Sequence, residues 1–177
     1  MPKAVKSGFR CGAATIIGLP NAGKSTLLNG IVGERLAIVT AKAQTTRTAL
    51  NGVWTGPEAQ IVFVDTPGLH KSDTVINRRM MQAVRASLDA IDVVVFVVDA
   101  TDKPGEAEAQ AVDLVKKPGT PVILVLNKID AVKEKPKLIQ LIEHYRELHD
   151  FVAYIPISAK TGEGLDALKK EIIRHLP

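Results

Sequence analysis

Two segments of this chain carry residue types in an order that can do chemistry. The first is Gly18-Leu19-Pro20-Asn21-Ala22-Gly23-Lys24-Ser25, followed by Thr26. Glycines let a backbone wrap closely around an anion so that its N–H groups converge as a nest. The helix expected to follow adds its positive N-terminal end. Lys24 is then placed to bridge the β- and γ-phosphates of a nucleoside triphosphate, and the Ser25 hydroxyl to serve Mg²⁺. A chance glycine-rich turn is the plainer reading, but the segment lies between an apolar run and an amphipathic one, where the mechanism requires it.

The second segment is Asn127-Lys128-Ile129-Asp130, directly after the apolar run Val122–Leu126. Ligands bind at the carboxyl ends of strands in open α/β sheets. The Asp130 carboxylate can accept from guanine N1–H and the exocyclic amine together. Adenine offers neither donor there and would leave Asp130 unpaired, a mismatch that rejects a ligand by roughly 10⁴-fold or more. Asn127 can bind the base edge and tie neighbouring loops, and the Lys128 stem can lie over the purine face. Taken alone, the tetrapeptide is an ordinary strand-terminal turn. Ser158-Ala159-Lys160, after the last apolar run, lies where a backbone N–H can reach guanine O6.

Between the two lie weaker signals that gain meaning from position. Asp65-Thr66-Pro67-Gly68 follows the run Gln60–Val64. A carboxylate there can hold Mg²⁺ through a water, and the Gly68 N–H can approach the γ-phosphate. Gln44, Thr45, Thr46 and Arg47 fall in an aperiodic stretch, Glu34–Thr48. Thr46 is the expected additional Mg²⁺ ligand when the γ-phosphate is present. Arg47 reads as a solvated cation and His70 as a surface residue. His144, His149 and His175 lack metal-ligand spacing.

These residues need elements to position them, and apolar runs alternate with amphipathic segments as in a layered α/β fold. Strands are expected at Ala13–Ile17, Leu50–Trp54, Gln60–Val64, Val93–Val98, Val122–Leu126 and Phe151–Ile157. The second and third flank Gly56-Pro57-Glu58 and form an antiparallel hairpin. Val93–Val98 is apolar at every position, so both of its faces are covered. Helices are expected at Lys24–Val32, ended by Gly33, at Ile76–Leu88, at Pro104–Lys117, around Leu138, Ile142 and Tyr145, and at Leu165–Leu176.

With 177 residues, the chain suits one core. Its 46% hydrophobic content with 4% aromatics calls for Val, Ile, Leu and Ala packing. A net charge of +4 without a basic block reads as a solvated surface rather than a nucleic-acid stripe. The single cysteine, Cys11, excludes an internal disulfide and reads as a small core residue. The first ten residues hold charges and no apolar run, so neither a signal peptide nor a membrane span is expected, and the setting is read as cytoplasmic.

Together these motifs resemble the G domain of the Era family of bacterial GTPases. The carriers are Gly18–Ser25, Lys42-Ala43-Gln44-Thr45-Thr46-Arg47, Asp65-Thr66-Pro67-Gly68-Leu69-His70, Asn127–Asp130 and Ser158–Lys160, supported by Ile76-Asn77-Arg78 and the closing Arg174-His175-Leu176-Pro177. The resemblance implies a P-loop G domain over residues 1–177, three α/β/α layers with a six-stranded, mostly parallel sheet carrying one antiparallel strand, and five helices. It implies Mg²⁺-dependent hydrolysis of GTP to GDP and a role with the small ribosomal subunit and its rRNA; a monomer is expected. Family members continue into a KH domain about where this sequence stops, so RNA binding is assigned to no residue here. Relatives with asparagine at the Asn21 position hold K⁺ beside the phosphates; a simple brace for the loop is the equal alternative. Leu69 stands where Ras-like enzymes carry a water-orienting glutamine. Slow turnover is therefore expected, and a nucleotide-sensing module with negligible turnover is the competing reading.

Overall fold

The structure, a computed structural model, describes residues 8–33, 50–64, 88–116 and 119–177, with Leu50 and Asn51 given by backbone alone. The sheet comprises β1 (Arg10–Gly18), β2 (Leu50–Thr55), β3 (Ala59–Val64), β4 (Val93–Asp99), β5 (Val122–Asn127) and β6 (Ala153–Pro156). Among the described residues the α-helices are α1 (Lys24–Val32), α2 (Glu106–Val115), α3 (Pro136–Leu148) and α4 (Leu165–Arg174).

Strand order is β2-β3-β1-β4-β5-β6, and every pairing is parallel except the β2–β3 hairpin. After β1 the chain builds outward to one side as β3 and β2 and to the other as β4, β5 and β6. The carboxyl end of β1 therefore opens at the point where the order reverses.

Alternation along β4 shows how the layers are filled. Val94, Phe96 and Val98 pack with Ala111, Val112, Leu114 and Val115 of α2 and with Leu141 and Tyr145 of α3. Val93, Val95 and Val97 face the other way, onto Leu27, Leu28 and Ile31 of α1 and Leu165, Leu168 and Ile172 of α4. Two apolar faces on one strand require helices on both sides, and they are there.

Local chemistry sets the ends of the elements. Gly33 takes φ 84° and returns its N–H to the Asn29 carbonyl at 2.8 Å, ending α1 where expected. α2 starts at Glu106 rather than in a turn containing Pro104, because extended Gly105 is the cap and its N–H donates to Glu108 Oε2 at 2.7 Å. Lys117, the expected end of that helix, lies outside the described residues. β6 is shorter than Phe151–Ile157; Phe151 and Ile157 are buried just outside it.

Cys11 corrects the sequence reading. β1 begins at Arg10, because Arg10 and Cys11 pair with Ala59 and Gln60 at the rim of the sheet, and Cys11 is exposed there. Beside it, Arg10 Nη1 donates to the carbonyls of Arg174 at 2.6 Å and Leu176 at 3.3 Å, satisfying the last turn of α4. Of the helix expected at Ile76–Leu88 only Leu88 is described, at the start of a 3₁₀ turn, Leu88–Ala90.

Candidate functional site

The carboxyl ends of β1, β4 and β5 lie side by side, since Gly18 pairs with Val97 and Asp99 with Asn127. Gly18 has to be glycine: a Cβ there would sit 2.5 Å from the Val97 carbonyl oxygen. The loop turns through a bond from Ala22 N–H to the Leu19 carbonyl at 3.2 Å, and the first helical bond of α1 runs from Leu27 N–H to the Gly23 carbonyl. Gly23 lies at φ 94°, and a Cβ on it would stand 2.3 Å from Asn127 Nδ2. The loop thus approaches β5 as closely as a backbone can. Lys24 Nζ folds back over the loop to the Gly18 carbonyl at 2.8 Å, and Ser25 opens the same helix.

Asn127 is the knot between the segments. It is 2% exposed. Its Nδ2 donates to the Ala22 carbonyl at 2.9 Å, while Oδ1 accepts from Lys128 N–H at 2.8 Å and from Ala159 N–H at 3.0 Å. One side chain therefore joins Gly18–Ser25, Asn127–Asp130 and Ser158–Lys160. The loop-tying role read for Asn127 is what its side chain does here. Of the backbone N–H groups in Ser158-Ala159-Lys160, the segment read as offering a donor toward guanine O6, that of Ala159 is held by Asn127 Oδ1.

Asp130 sits exposed in a 3₁₀ turn, Ile129–Ala131. Its Oδ1 accepts from the fully buried Ser158 Oγ at 2.8 Å, and that oxygen in turn accepts from Thr161 N–H at 3.2 Å. A carboxylate aimed by a buried hydroxyl is a preorganised acceptor for paired N–H donors. The Ser158 side chain, not only its backbone, belongs to the site.

Lys128 crosses back to the loop. Its Nζ donates to the Asn21 carbonyl at 2.7 Å and to Asp99 Oδ2 at 2.8 Å. Asp99 escaped the sequence reading, although its position at the end of apolar β4 repeats that of Asn127 at the end of β5. Burial pushes its carboxyl upward, but hydrogen bonds from Lys128 and Thr101 outweigh this and hold it below its ordinary value. On the far side of Thr101 a groove of about 510 Å³ opens between the β4–α2 loop and α3. None of the motif residues lines it.

Gln44, Thr45, Thr46, Arg47, Asp65, Thr66, Pro67, Gly68, Leu69 and His70 lie outside the described residues. Among the described residues no cluster of three or more His, Cys, Asp and Glu is placed to hold a metal, and no helix is long and apolar enough to cross a membrane.

A strand–loop–helix turn at the reversal point of a doubly wound sheet, tied by Asn127 to the loops after β5 and β6, is the P-loop GTPase fold. The chain belongs to the family described as 50S ribosome-binding GTPase, whose model matches residues 13–128. It is 47% identical over 171 residues to GTPase Era of Trichlorobacter lovleyi, covering 97% of this chain and 57% of that one. The GTPase Era of Geobacter metallireducens is 43% identical over 169 residues, with 96% of this chain and 56% of that one matched. The chain thus spans a little over half the length of these relatives. A crystal structure of Era in complex with MgGDPNP and nucleotides 1506–1542 of 16S ribosomal RNA superposes with a TM-score of 0.77 at 37% identity, covering 96% of this chain and 58% of that one. A point variant of Aquifex aeolicus Era bound to GDP and AlF₄⁻ gives 0.73 at 35% identity, with the same two shares covered. The resemblance read from the motifs therefore extends over nearly all of the chain.

Proposed function

We propose that residues 1–177 form one G domain that binds GTP and GDP and hydrolyses GTP as a switch. The observation that supports this is the Asn127 knot, which ties Gly18–Ser25 to Asn127–Asp130 and Ser158–Lys160 at the carboxyl ends of β1 and β5. A triphosphate seated in the nest draws Lys24 from the Gly18 carbonyl to its own oxygens. Asp130 then takes the base, and the Lys128 stem lies across its face.

The hydroxyl of Ser25, at the start of α1, is a hard oxygen donor suited to Mg²⁺. Thr46 and Asp65 are its proposed companions. The ion, when bound, neutralises charge on the phosphates. The family relatives, one of them bound to 16S rRNA, support a place in small ribosomal subunit assembly and rRNA maturation. Asn21, left-handed at φ 69°, is the residue through which K⁺ would stimulate turnover. The domain is proposed to act as a cytoplasmic monomer.

Equilibrium titration with fluorescent GDP and ADP, together with phosphate release from GTP, tests the reading. Guanine selectivity of roughly 10⁴-fold or more is expected, with slow release that is faster in K⁺ than in Na⁺ and loses that difference in Asn21→Ala. Equal affinity for both bases refutes the guanine assignment, and binding without any release, even with ribosomal particles added, leaves a nucleotide-sensing module.

A further inference from the structure

Only two non-glycine residues among the described residues have positive φ, and they are Asn21 and Lys128, each at 69°. They are the two ends of one hydrogen bond, Lys128 Nζ to the Asn21 carbonyl. Left-handed backbone is costly for such residues and persists where surrounding contacts over-determine it. Asn127 Oδ1 holds the Lys128 N–H, and Asp99 holds the ammonium at the other end of the side chain.

The Asp99 carboxylate is fully committed. Its Oδ1 accepts from Thr101 N–H at 2.8 Å and Thr101 Oγ1 at 2.5 Å, and its Oδ2 faces the Lys128 ammonium. The backbone beneath is pinned as well, because Ala100 N–H donates to the Asn127 carbonyl. Asp99's side chain is 12% exposed and Lys128's 39%, so this pair is shielded on the acid side, unlike an ordinary solvent-facing ion pair. The ammonium is thereby stretched from the end of β5 to the P-loop and cannot swing into solvent without leaving a largely buried carboxylate.

We propose that Asp99 is a positioning residue for guanine nucleotide: locked by Thr101, it holds Lys128 on the Asn21 carbonyl, and so fixes both the P-loop's shape and the strip of lysine stem on which the base rests. This rests on the nucleotide reading above. Asp99 acts on the nucleotide through Lys128, so its effect on nucleotide release vanishes when Lys128 is removed, which a merely structural ion pair would not show.

The test is a double-variant cycle on the 177-residue chain, read by the release rate of mant-GDP. Asp99→Ala is expected to speed release about tenfold, the scale of one charge-assisted hydrogen bond. Lys128→Ala speeds it at least as much, and the double variant is no faster than Lys128→Ala. An Asp99→Ala effect that is absent, or that persists unchanged in the Lys128→Ala background, overturns the proposal. Should Asp99→Ala fail to fold, Asp99→Asn keeps the shape and still accepts from Lys128. About a threefold effect is then expected, lost in the Lys128→Ala background, and its persistence there likewise overturns the proposal.

A second arm needs no nucleotide. The Ala22 amide, bonded to the Leu19 carbonyl, is expected to exchange with solvent deuterium about tenfold faster in Asp99→Ala, and no faster than Lys128→Ala in the double variant. Wild-type protein that binds no mant-GDP sinks the nucleotide reading, and this exchange arm then decides the latch by itself.

Discussion

Replacing Asn127 probes the largest claim made for the site, that one side chain fuses its loops. Asn127→Ala removes a donor to the Ala22 carbonyl and an acceptor shared by the Lys128 and Ala159 N–H groups. Asn127 is 2% and Ala159 8% exposed, so water has little access to the orphaned groups. Each buried orphan costs about 1–3 kcal/mol, and the expected loss is about 3–5 kcal/mol from a total of order 5–15. Asn127→Asp is the sharper variant. It keeps both accepted bonds but sets an oxygen against the Ala22 carbonyl, at an expected loss of about 2–3 kcal/mol at neutral pH. Protonation of the new carboxyl restores a donor, so its folded pKa lies above the unfolded value of about 3.9. The restored bond is fully present below the unfolded pKa and is lost as pH rises through the folded one. Urea unfolding, followed by far-UV circular dichroism at about pH 7 and about pH 4.5, should therefore show the gap between Asn127→Asp and wild type narrowing at the lower pH. An Asn127→Ala protein within about 1 kcal/mol of wild type, or a gap that ignores pH, refutes the knot.

Asp130→Ala should erase most of the preference for guanine over adenine in fluorescent-nucleotide titrations, while Ser158→Ala, which removes the brace at 2.8 Å, should weaken GDP binding by about tenfold. Gly23→Ala forces a Cβ to 2.3 Å from Asn127 Nδ2 at a left-handed φ, and thermal melts should register a loss of about 2–4 kcal/mol together with nucleotide binding. His149 packs edge-on against Phe151, and burial, then the nearby Lys116, hold its imidazole below the usual value. A depressed histidine costs stability as pH falls from about 6.5 toward its folded pKa, so His149→Gln should show a smaller drop in urea midpoint than wild type between about pH 7.5 and about pH 5.

The parts of the site most legible in the sequence are those whose chemistry is local in the chain. A phosphate nest needs its glycines, Lys24 and Ser25 at fixed short spacing, and a guanine acceptor needs to follow a strand, so Gly18–Ser25 and Asn127–Asp130 could be read directly. The both-sided apolar runs at β4 and β5 likewise announced a covered sheet. Asp99 was not legible, because its partner Lys128 is 29 positions away and only the β4–β5 register brings them together. Cys11 was misplaced for a similar reason: pairing with Gln60 carries β1 outward past its apolar stretch to the rim. Pro104 suits a first helical turn by its own geometry, but the extended Gly105 and the reach of Glu108 start the helix two residues later. Ser158-Ala159-Lys160 was valued for a backbone N–H, whereas the buried Ser158 hydroxyl, brought to Asp130 by the turn at Ile129–Ala131, fixes that carboxylate.

The clasp between Arg10 and the end of α4 also bears on how this unit can be joined to others. One guanidinium spans from the first strand to the carbonyls of Arg174 and Leu176, so the start of β1 and the end of α4 lie side by side. A unit whose ends meet can be set into a host protein's surface loop like a bead on a short stalk, without stretching the host. The same closeness predicts that joining the start of β1 to the end of α4 by a short glycine linker and reopening the chain at the Pro57-Glu58 turn yields a circular permutant with the same sheet.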